Sequence, residues 1–96
     1  MLNQNDDDLV ELHAIFRGGV QGVGFRYTAQ NYATRLGLKG TVRNLHDGTV
    51  ELYAVGTRQL LDELLRSLQK SFNPIDSVDT FYSPPTREFE GFQIIK

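Results

Sequence analysis

The chain has 96 residues, 40% hydrophobic and 23% charged, a balance typical of one globular domain and unlike that of a disordered segment. Ten basic and twelve acidic residues give a net charge of -2, which disfavours a nucleic-acid-binding function because such proteins usually present a basic face. The lack of cysteine excludes disulfides, thiolate metal sites and cysteine nucleophiles.

The first eight residues, MLNQNDDD, are polar and acidic, the reverse of a secretory signal. We interpret residues 1–8 as a flexible acidic tail before a single domain at residues 9–96. The adjacent carboxylates of Asp6, Asp7 and Asp8 are interpreted as solvated, not as a metal site. No apolar run approaches the roughly 18 residues that cross a bilayer, so we expect a cytoplasmic protein with no membrane partner.

The first half of the chain predicts a strand, a loop and a helix. Apolar and polar residues alternate over residues 9–17, which is typical of a half-buried strand. Four glycines then fall within residues 18–24, hereafter the glycine loop. Apolar residues recur at helical spacing over residues 25–36, and Gly37 suits the position just past a helix end.

The second half predicts a hairpin, a helix and two further strands. Asp47-Gly48 is a strong hairpin signal, and Thr57 is a suitable cap for the second helix. Strands are predicted at residues 39–45, 49–55, 77–83 and 91–95. The second helix has a single apolar stripe formed by Leu61, Leu64, Leu65 and Leu68.

This order of elements predicts an α+β fold of the ferredoxin-like type, an α/β sandwich with the order βαββαβ. We expect an antiparallel sheet with two helices on one face and a short extra C-terminal strand. The first and second strands then run in the same direction, so their C-terminal ends lie at one edge of the sheet. Arg26, near the start of the first helix, and Asn44, late in the second strand, are predicted to converge at that edge.

The glycine loop has two interpretations. Glycines accept positive φ and allow backbone N–H groups to surround an anion, helped by the free amides of a helix N-terminus. Arg26 would add a planar donor that matches a phosphate. Equally, the loop is a tight turn and Arg26 a solvent-facing charge. The loop matches neither standard nucleotide-binding motif, and the residues alone leave both interpretations open.

Two stretches resemble motifs of the acylphosphatase family. The run GGVQGVGFR, residues 18–26, resembles the family signature G-x-V-Q-G-V-x-F-R, and GTVRNLHDGTVE, residues 40–51, resembles its second motif. The resemblance extends from about residue 9 to the C-terminus. It implies the family's α/β sandwich and the hydrolysis of acyl phosphates to a carboxylate and inorganic phosphate, without metal or cofactor.

The resemblance also implies roles for residues. Arg26 would bind the phosphoryl group and Asn44 would orient the attacking water. The phosphate-binding loop would comprise Gly19, Val20, Gln21, Gly22, Val23, Gly24 and Phe25. The expected partner is a small acyl phosphate, with inorganic phosphate or sulfate as competing anions, and the expected state is a monomer.

Three residues depart from the family pattern, namely Gly19, Thr41 and Lys96, and bear on rate and stability more than on activity. His13 and His46 are interpreted as a sheet residue and a turn residue. The alternative function is a non-catalytic module of the same fold that binds phosphate or carbamoyl phosphate. An RNA-binding interpretation of GVGF is disfavoured because that motif belongs on a central strand, whereas here it opens a helix.

Overall fold

A computed structural model describes residues 8–96 and confirms the predicted order of elements. The elements are β1 (Val10–Gly18), α1 (Phe25–Arg35), β2 (Lys39–Asn44), β3 (Val50–Gly56), α2 (Arg58–Ser71), β4 (Ile75–Ser83) and β5 (Phe92–Ile94). Of the predicted acidic tail, residues 1–7 lie outside the described residues, among them Asp6 and Asp7. Neither described helix combines the length and the apolar character needed to cross a bilayer.

The five strands form one sheet in the order β4-β1-β3-β2-β5. The first four strands pair antiparallel, as predicted, whereas the terminal strand β5 pairs parallel with β2. The direction of β5 follows from the path of the chain, because β4 ends at the edge of the sheet where β2 begins. Residues 84–91 then carry the chain across the sheet, and β5 runs alongside β2 from its first residues. The sheet is therefore mixed.

The helices pack on one face of the sheet, as expected for this fold class. Helix α1 lies over β2 and β5, and α2 lies over β3. The sheet contributes Leu12, Ala14, Phe16, Val42, Val50, Leu52 and Ala54 to the core. Thr57 caps α2 by accepting a hydrogen bond from the Leu60 amide, as predicted. Each fully buried large apolar side chain stabilises the fold by roughly 1.5–3 kcal/mol, so this face holds the sandwich together.

The outer face of the sheet, which points away from the helices, is more covered than strand alternation predicts. Glu11 lies on this face but is buried, because its carboxylate accepts hydrogen bonds from the amide and hydroxyl of Thr86. Arg87, in the same connection, lies 4.4 Å from the ring centre of Tyr53, which stacks on His13. The connection between β4 and β5 therefore packs over part of the sheet.

Glu51 on the outer face joins three strands through ionic hydrogen bonds. Its carboxylate accepts from His13 Nε2 on β1 and from Arg43 Nε on β2, both at 2.8 Å. Burial alone raises the pKa of the Glu51 carboxyl, but the bonds to His13 and Arg43 outweigh it, and the pKa lies below its ordinary value of 4.5. A lowered pKa means that the folded state favours the ionised form of this side chain.

We predict that Glu51→Gln destabilises the protein at neutral pH by about 1–2 kcal/mol, because two charge-assisted hydrogen bonds are weakened. A folded-state pKa below the unfolded-state value contributes stability above the unfolded value, and that stability is lost as pH falls through the folded value. The difference between wild type and variant should therefore shrink as pH is lowered below 4.5. Urea unfolding at neutral and acidic pH measures it.

The matched control is Glu63→Gln, which removes an exposed carboxylate paired with Arg66 on α2. Surface pairs of this kind contribute little, so this variant should unfold like the wild type at both pH values. A destabilisation by Glu51→Gln that stayed constant with pH would show that ionisation of Glu51 is not its cause.

Candidate active site

The glycine loop and Asn44 lie at the same edge of the sheet. Strands β1 and β2 both pair antiparallel to β3, one on each side of it, and therefore run in the same direction. Phe16 near the end of β1 and Asn44 at the end of β2 align with the same β3 residue, Val50. The loop that follows β1 thus begins level with the end of β2, and α1 starts from that loop.

Buried side chains anchor the glycine loop. The rings of Phe16, before the loop, and Phe25, the first residue of α1, meet edge to face with their centres 4.9 Å apart. Phe72 packs against Phe25 in the same way at 5.1 Å. Val20, within the loop, is also buried, whereas residues 22–24 are exposed. The loop is therefore held at both ends and at one interior point, and its exposed part is short.

The exposed part of the loop has the backbone geometry of an anion nest. Gly22 and Gly24 have φ values of 77° and 81°, and no non-glycine residue in the described part of the chain has a positive φ. The sign of φ therefore alternates from Gln21 to Phe25, which turns successive N–H groups toward one concavity. A Cβ at either glycine would meet open space, so glycine is needed there for its conformation and not for room.

The amides of this segment are available as donors. The Gly19 amide donates to the Pro74 carbonyl and the Val20 amide to the Gly18 carbonyl, and the next bonded amide is that of Thr28, which donates to Gly24. Within residues 8–96, the amides of residues 21–27 donate to no protein acceptor. The first turn of any helix leaves amides free, but here the run begins four residues before α1 does. The result is an extended row of free donors.

Arg26 is the second residue of α1 and is half-buried. Its guanidinium forms no ion pair or hydrogen bond with any residue in the described part of the chain. The chain's other arginines all have a carboxylate or an aromatic ring as partner, namely Arg17, Arg35, Arg43, Arg58, Arg66 and Arg87. No acidic residue lies in the first turn of α1. A cation without a protein partner beside free amides is suited to an anionic ligand.

Asn44 ends β2 and has an unsatisfied polar atom. Its Oδ1 is buried and accepts no hydrogen bond within the described part of the chain. Buried polar atoms in proteins are nearly always hydrogen-bonded, so an orphan acceptor beside a donor-rich loop indicates a place for a small ligand that carries an O–H group.

Gln21 connects the glycine loop to the turn that follows Asn44. Its Nε2 donates to the carbonyls of Leu45 and Thr49, each at 2.9 Å. Asp47 closes the same turn by accepting from the amide and hydroxyl of Thr49, bonds that lower the pKa of Asp47. The sequence predicted Gln21 as part of the loop but not this side-chain role. The available signal was that Gln21 is the only polar side chain among the glycines and valines of the loop.

The remaining predicted positions lie as follows. His46 is exposed in the hairpin turn, and His13 lies on the outer face, away from this edge. Gly19 packs beside Pro74, and Thr41 lies in β2 opposite Tyr53. Among residues 8–96, no three His, Asp or Glu side chains are grouped so as to hold a metal ion.

The fold and this edge define a small α+β protein with a glycine-rich loop of free amides between its first strand and first helix. The family described as Acylphosphatase matches residues 12–94. An acylphosphatase of Paenarthrobacter aurescens (strain TC1) is 45% identical over 91 residues, which cover 93% of this chain and 97% of that protein. The chain therefore belongs to the acylphosphatase family.

Solved structures agree with this assignment. The crystal structure of acylphosphatase from Bacillus subtilis superposes with a TM-score of 0.85 at 30% identity, covering 91% of this chain and 99% of that one. The crystal structure of HypF from T. kodakarensis superposes with a TM-score of 0.77 at 27% identity. That match covers 88% of this chain but only 12% of HypF, so the chain resembles a small part of that protein.

We predict that Gln21→Leu destabilises the protein by about 1–2 kcal/mol, because it removes two hydrogen bonds between the loop and the turn. Amide NMR shifts should change in the turn, at residues 45–49, as well as in the loop. Gln30→Leu is the matched control, since Gln30 donates one bond from α1 to the Phe92 carbonyl. The control should change shifts near β5 and leave the turn unchanged. Unaltered turn shifts in Gln21→Leu would contradict the connecting role.

Proposed function

We propose that this protein hydrolyses acyl phosphates to a carboxylate and inorganic phosphate, with Arg26 and the amides of the glycine loop holding the phosphoryl group and Asn44 orienting the attacking water. The observation that carries the proposal is the row of free amides at residues 21–27, which includes the unpaired Arg26. The orphan Oδ1 of Asn44 at the same edge supports the second role. Family membership supports the reaction itself.

The loop and Arg26 act on the phosphoryl oxygens. Phosphoryl transfer depends on positioning and on stabilisation of charge spread over these oxygens, with little covalent work for the protein. The free amides of residues 21–25 supply donors for these oxygens, and Arg26 adds a planar, permanently charged donor. Because these donors are in place before substrate arrives, they need no reorganisation during the reaction.

Asn44 acts on the water. Its Oδ1 accepts a hydrogen bond from the water and directs the water's lone pair at the phosphorus, without removing a proton, because a neutral amide is not a base. A bond forms between the water oxygen and phosphorus while the bond from phosphorus to the acyl oxygen breaks. The electron pair leaves with the carboxylate, and the water's proton passes to a phosphate oxygen. A carboxylate is a stable anion at neutral pH, so no general acid is needed.

The alternative is a module of the same fold that binds phosphate or carbamoyl phosphate without turnover. The match to 12% of HypF favours it only in that the same fold occurs there as one part of a larger protein. The higher identity to a protein named acylphosphatase, together with the coverage of nearly all of that protein's length, favours the enzyme.

We further propose that the protein acts as a monomer and in the cytoplasm. Asp76 and Asp79 are exposed on β4, at one edge of the sheet, and charged residues on edge strands oppose pairing with another chain. A cytoplasmic location is compatible with the lack of cysteine. Sedimentation at several protein concentrations tests the monomer.

We predict that Arg26→Lys and Asn44→Ala fail in different ways. Arg26→Lys keeps a charge but loses the planar grip, so turnover should fall by about a hundredfold or more and inorganic phosphate should inhibit less. Asn44→Ala should lose turnover to a similar extent yet keep competitive inhibition by phosphate or sulfate, because the water contact contributes mainly in the transition state. Steady-state kinetics with acetyl and carbamoyl phosphate in a chelating buffer, paired with phosphate titration, measures both.

Wild-type turnover that disappears in the chelator, or that favours simple phosphate monoesters, would contradict the proposed reaction. Phosphate binding without turnover of any acyl phosphate would establish the alternative module. Normal turnover by Asn44→Ala would contradict its proposed role.

We predict that Gly22→Ala weakens phosphate binding, whereas Gly37→Ala does not. Gly22 has a φ of 77° and Gly37 a φ of 73°, and a Cβ would meet open space at both positions. Each substitution should therefore cost a similar stability, about 1 kcal/mol, through backbone strain alone. Only Gly22 lies in the nest, so only its variant should raise the phosphate dissociation constant measured by NMR titration. Equal effects of both variants on phosphate affinity would show that the loop geometry does not hold the anion.

A further inference from the structure

A pocket lies on the outer face of the sheet, at the end opposite the glycine loop. It is lined by Lys39, Arg87, Glu88 and four apolar residues, and is hereafter called the distal pocket. Its volume of about 390 Å³ falls within the range of small-molecule sites. Lys39 begins β2 and Asn44 ends it, so the pocket lies roughly 15 Å along the strand from the candidate active site. The distal pocket is therefore separate from that site.

Arg87 in the distal pocket is held by aromatic rings. Its guanidinium carbon lies 4.4 Å from the ring centre of Tyr53 and 4.8 Å from that of Phe89. The preceding residue, Thr86, is bound to the buried carboxylate of Glu11 through its amide and hydroxyl. Both contacts fix the position of Arg87 before any ligand binds.

The hydrogen-bond donors of Arg87 are free. Within residues 8–96 its guanidinium forms no hydrogen bond and no ion pair, and its partners are the two rings. An arginine can stack on aromatic rings while its planar fork of N–H groups stays available, and that fork matches the two oxygens of a carboxylate. Arg87 is therefore a positioned donor that the fold itself does not use.

The distal pocket has one positive charge in excess. Lys39 is exposed there and has no carboxylate partner in the described part of the chain. Glu88 is the acidic residue of the lining, and it too forms no ion pair within residues 8–96. Two cations against one carboxylate favour a ligand with a single negative charge.

A neighbouring pocket on the same face shows why the anion belongs in the distal one. This second pocket, of about 250 Å³, also borders Arg87 and Phe89, but it contains Glu51. The pKa of Glu51 lies below its ordinary value because of its hydrogen bonds to His13 and Arg43, so Glu51 is negatively charged at neutral pH. A carboxylate there repels an anion, whereas Lys39 on the distal side attracts one.

The rest of the distal pocket is an apolar wall formed by Leu9, Val55, Pro85 and Phe89. Leu9 is 58% exposed, an unusual amount for a leucine beside a pocket. A ligand that covers this wall removes apolar surface from water and needs an apolar body to do so. A ligand that also reaches Arg87 and Lys39 needs an anionic head.

We infer that the distal pocket binds an organic monoanion, namely a carboxylate carried on an apolar body. Arg87 binds the carboxylate through its planar fork, Lys39 adds a second positive charge, and the apolar wall covers the body of the ligand. The inference is independent of the proposed function, because it uses no residue of the candidate active site.

The test is a titration of the full chain with 3-phenylpropionate, followed by amide NMR shifts. Its neutral counterpart is 3-phenylpropionamide, and acetate is the counterpart without an apolar body. The wild type should bind 3-phenylpropionate about tenfold more tightly than either, because only this ligand combines a charge-assisted hydrogen bond with apolar burial. The shifts should occur at residues 39, 55 and 86–89, and not in the glycine loop.

Charge substitutions at the distal pocket should change the affinity in opposite directions. Arg87→Gln should weaken 3-phenylpropionate about tenfold and Lys39→Gln about threefold, whereas Glu88→Gln should strengthen it about threefold by removing the opposing charge. Arg35→Gln is the matched control, because Arg35 also lies over a tyrosine ring, that of Tyr32, without a carboxylate partner in the described residues. It should bind like the wild type.

Equal affinities for the acid and the amide would overturn the inference, as would shifts centred on the glycine loop. Unchanged binding by both Arg87→Gln and Lys39→Gln would also overturn it. If Arg87→Gln fails to fold, Glu88→Gln decides, since tighter binding by that variant supports the site and unchanged binding overturns it. Binding seen only after deletion of residues 1–7 would show that the chain's own acidic N-terminal residues fill the pocket, and would overturn the small-molecule site.

Discussion

The contact between Phe16 and Phe25 is the interaction on which the candidate site depends. A loop containing four glycines has more conformational freedom to lose than any other segment of this length, and ordering each residue costs about 1–2 kcal/mol. That cost is offset where the loop meets the core. The rings of Phe16 and Phe25, which flank the loop in sequence, contact each other, and Val20 within the loop is also buried. These buried side chains restrict the conformations that the exposed glycines of the loop can adopt.

The strand order supplies the second constraint, because it sets where Asn44 lies relative to the loop. Strand β3 lies between β1 and β2, and its residue Val50 pairs with Phe16 of β1 on one side and with Asn44 of β2 on the other. The two strands therefore end at the same edge of the sheet although they do not pair with each other. Gln21 then joins the two sides by bonding the carbonyls of Leu45 and Thr49. The backbone topology thus brings the segments to one edge, and one side chain fixes their spacing. Positioning at this level is what phosphoryl transfer requires of a protein.

Local sequence patterns predicted the elements and the edge at which Arg26 and Asn44 lie. Alternation, helical spacing and the Asp47-Gly48 turn signal depend only on residues close together in the sequence. They can therefore be recognised without knowledge of the three-dimensional structure. The outer face was less predictable, because Glu11 is buried by Thr86, a residue from a connection with no periodicity. The parallel pairing of β5 depends on that same connection.

The finer features of the site could not be read from the sequence for a related reason. The orphan Oδ1 of Asn44, the free amides at residues 21–27 and the unpaired state of Arg26 are all statements about absent partners within the described part of the chain. Every backbone amide and every arginine looks alike in a sequence. Only the three-dimensional arrangement shows which of them the fold has already used.

This use of partners also bears on the charge of the proposed phosphate site in an acidic chain. The net charge of -2 repels phosphate at long range, but screening weakens that repulsion beyond about 8–10 Å at physiological salt. At short range the electrostatic potential at the loop depends on the charged groups nearest to it. Arg17, Arg43 and Arg58 are each bound to a carboxylate, whereas Arg26 is not, and the first turn of α1 has no acidic residue. Asp47, in the adjacent turn, accepts hydrogen bonds from Thr49 that orient its carboxylate but do not remove its negative charge. Arg26 is thus the one arginine without a carboxylate or aromatic partner within residues 8–96, and it lies beside the free amides of the glycine loop.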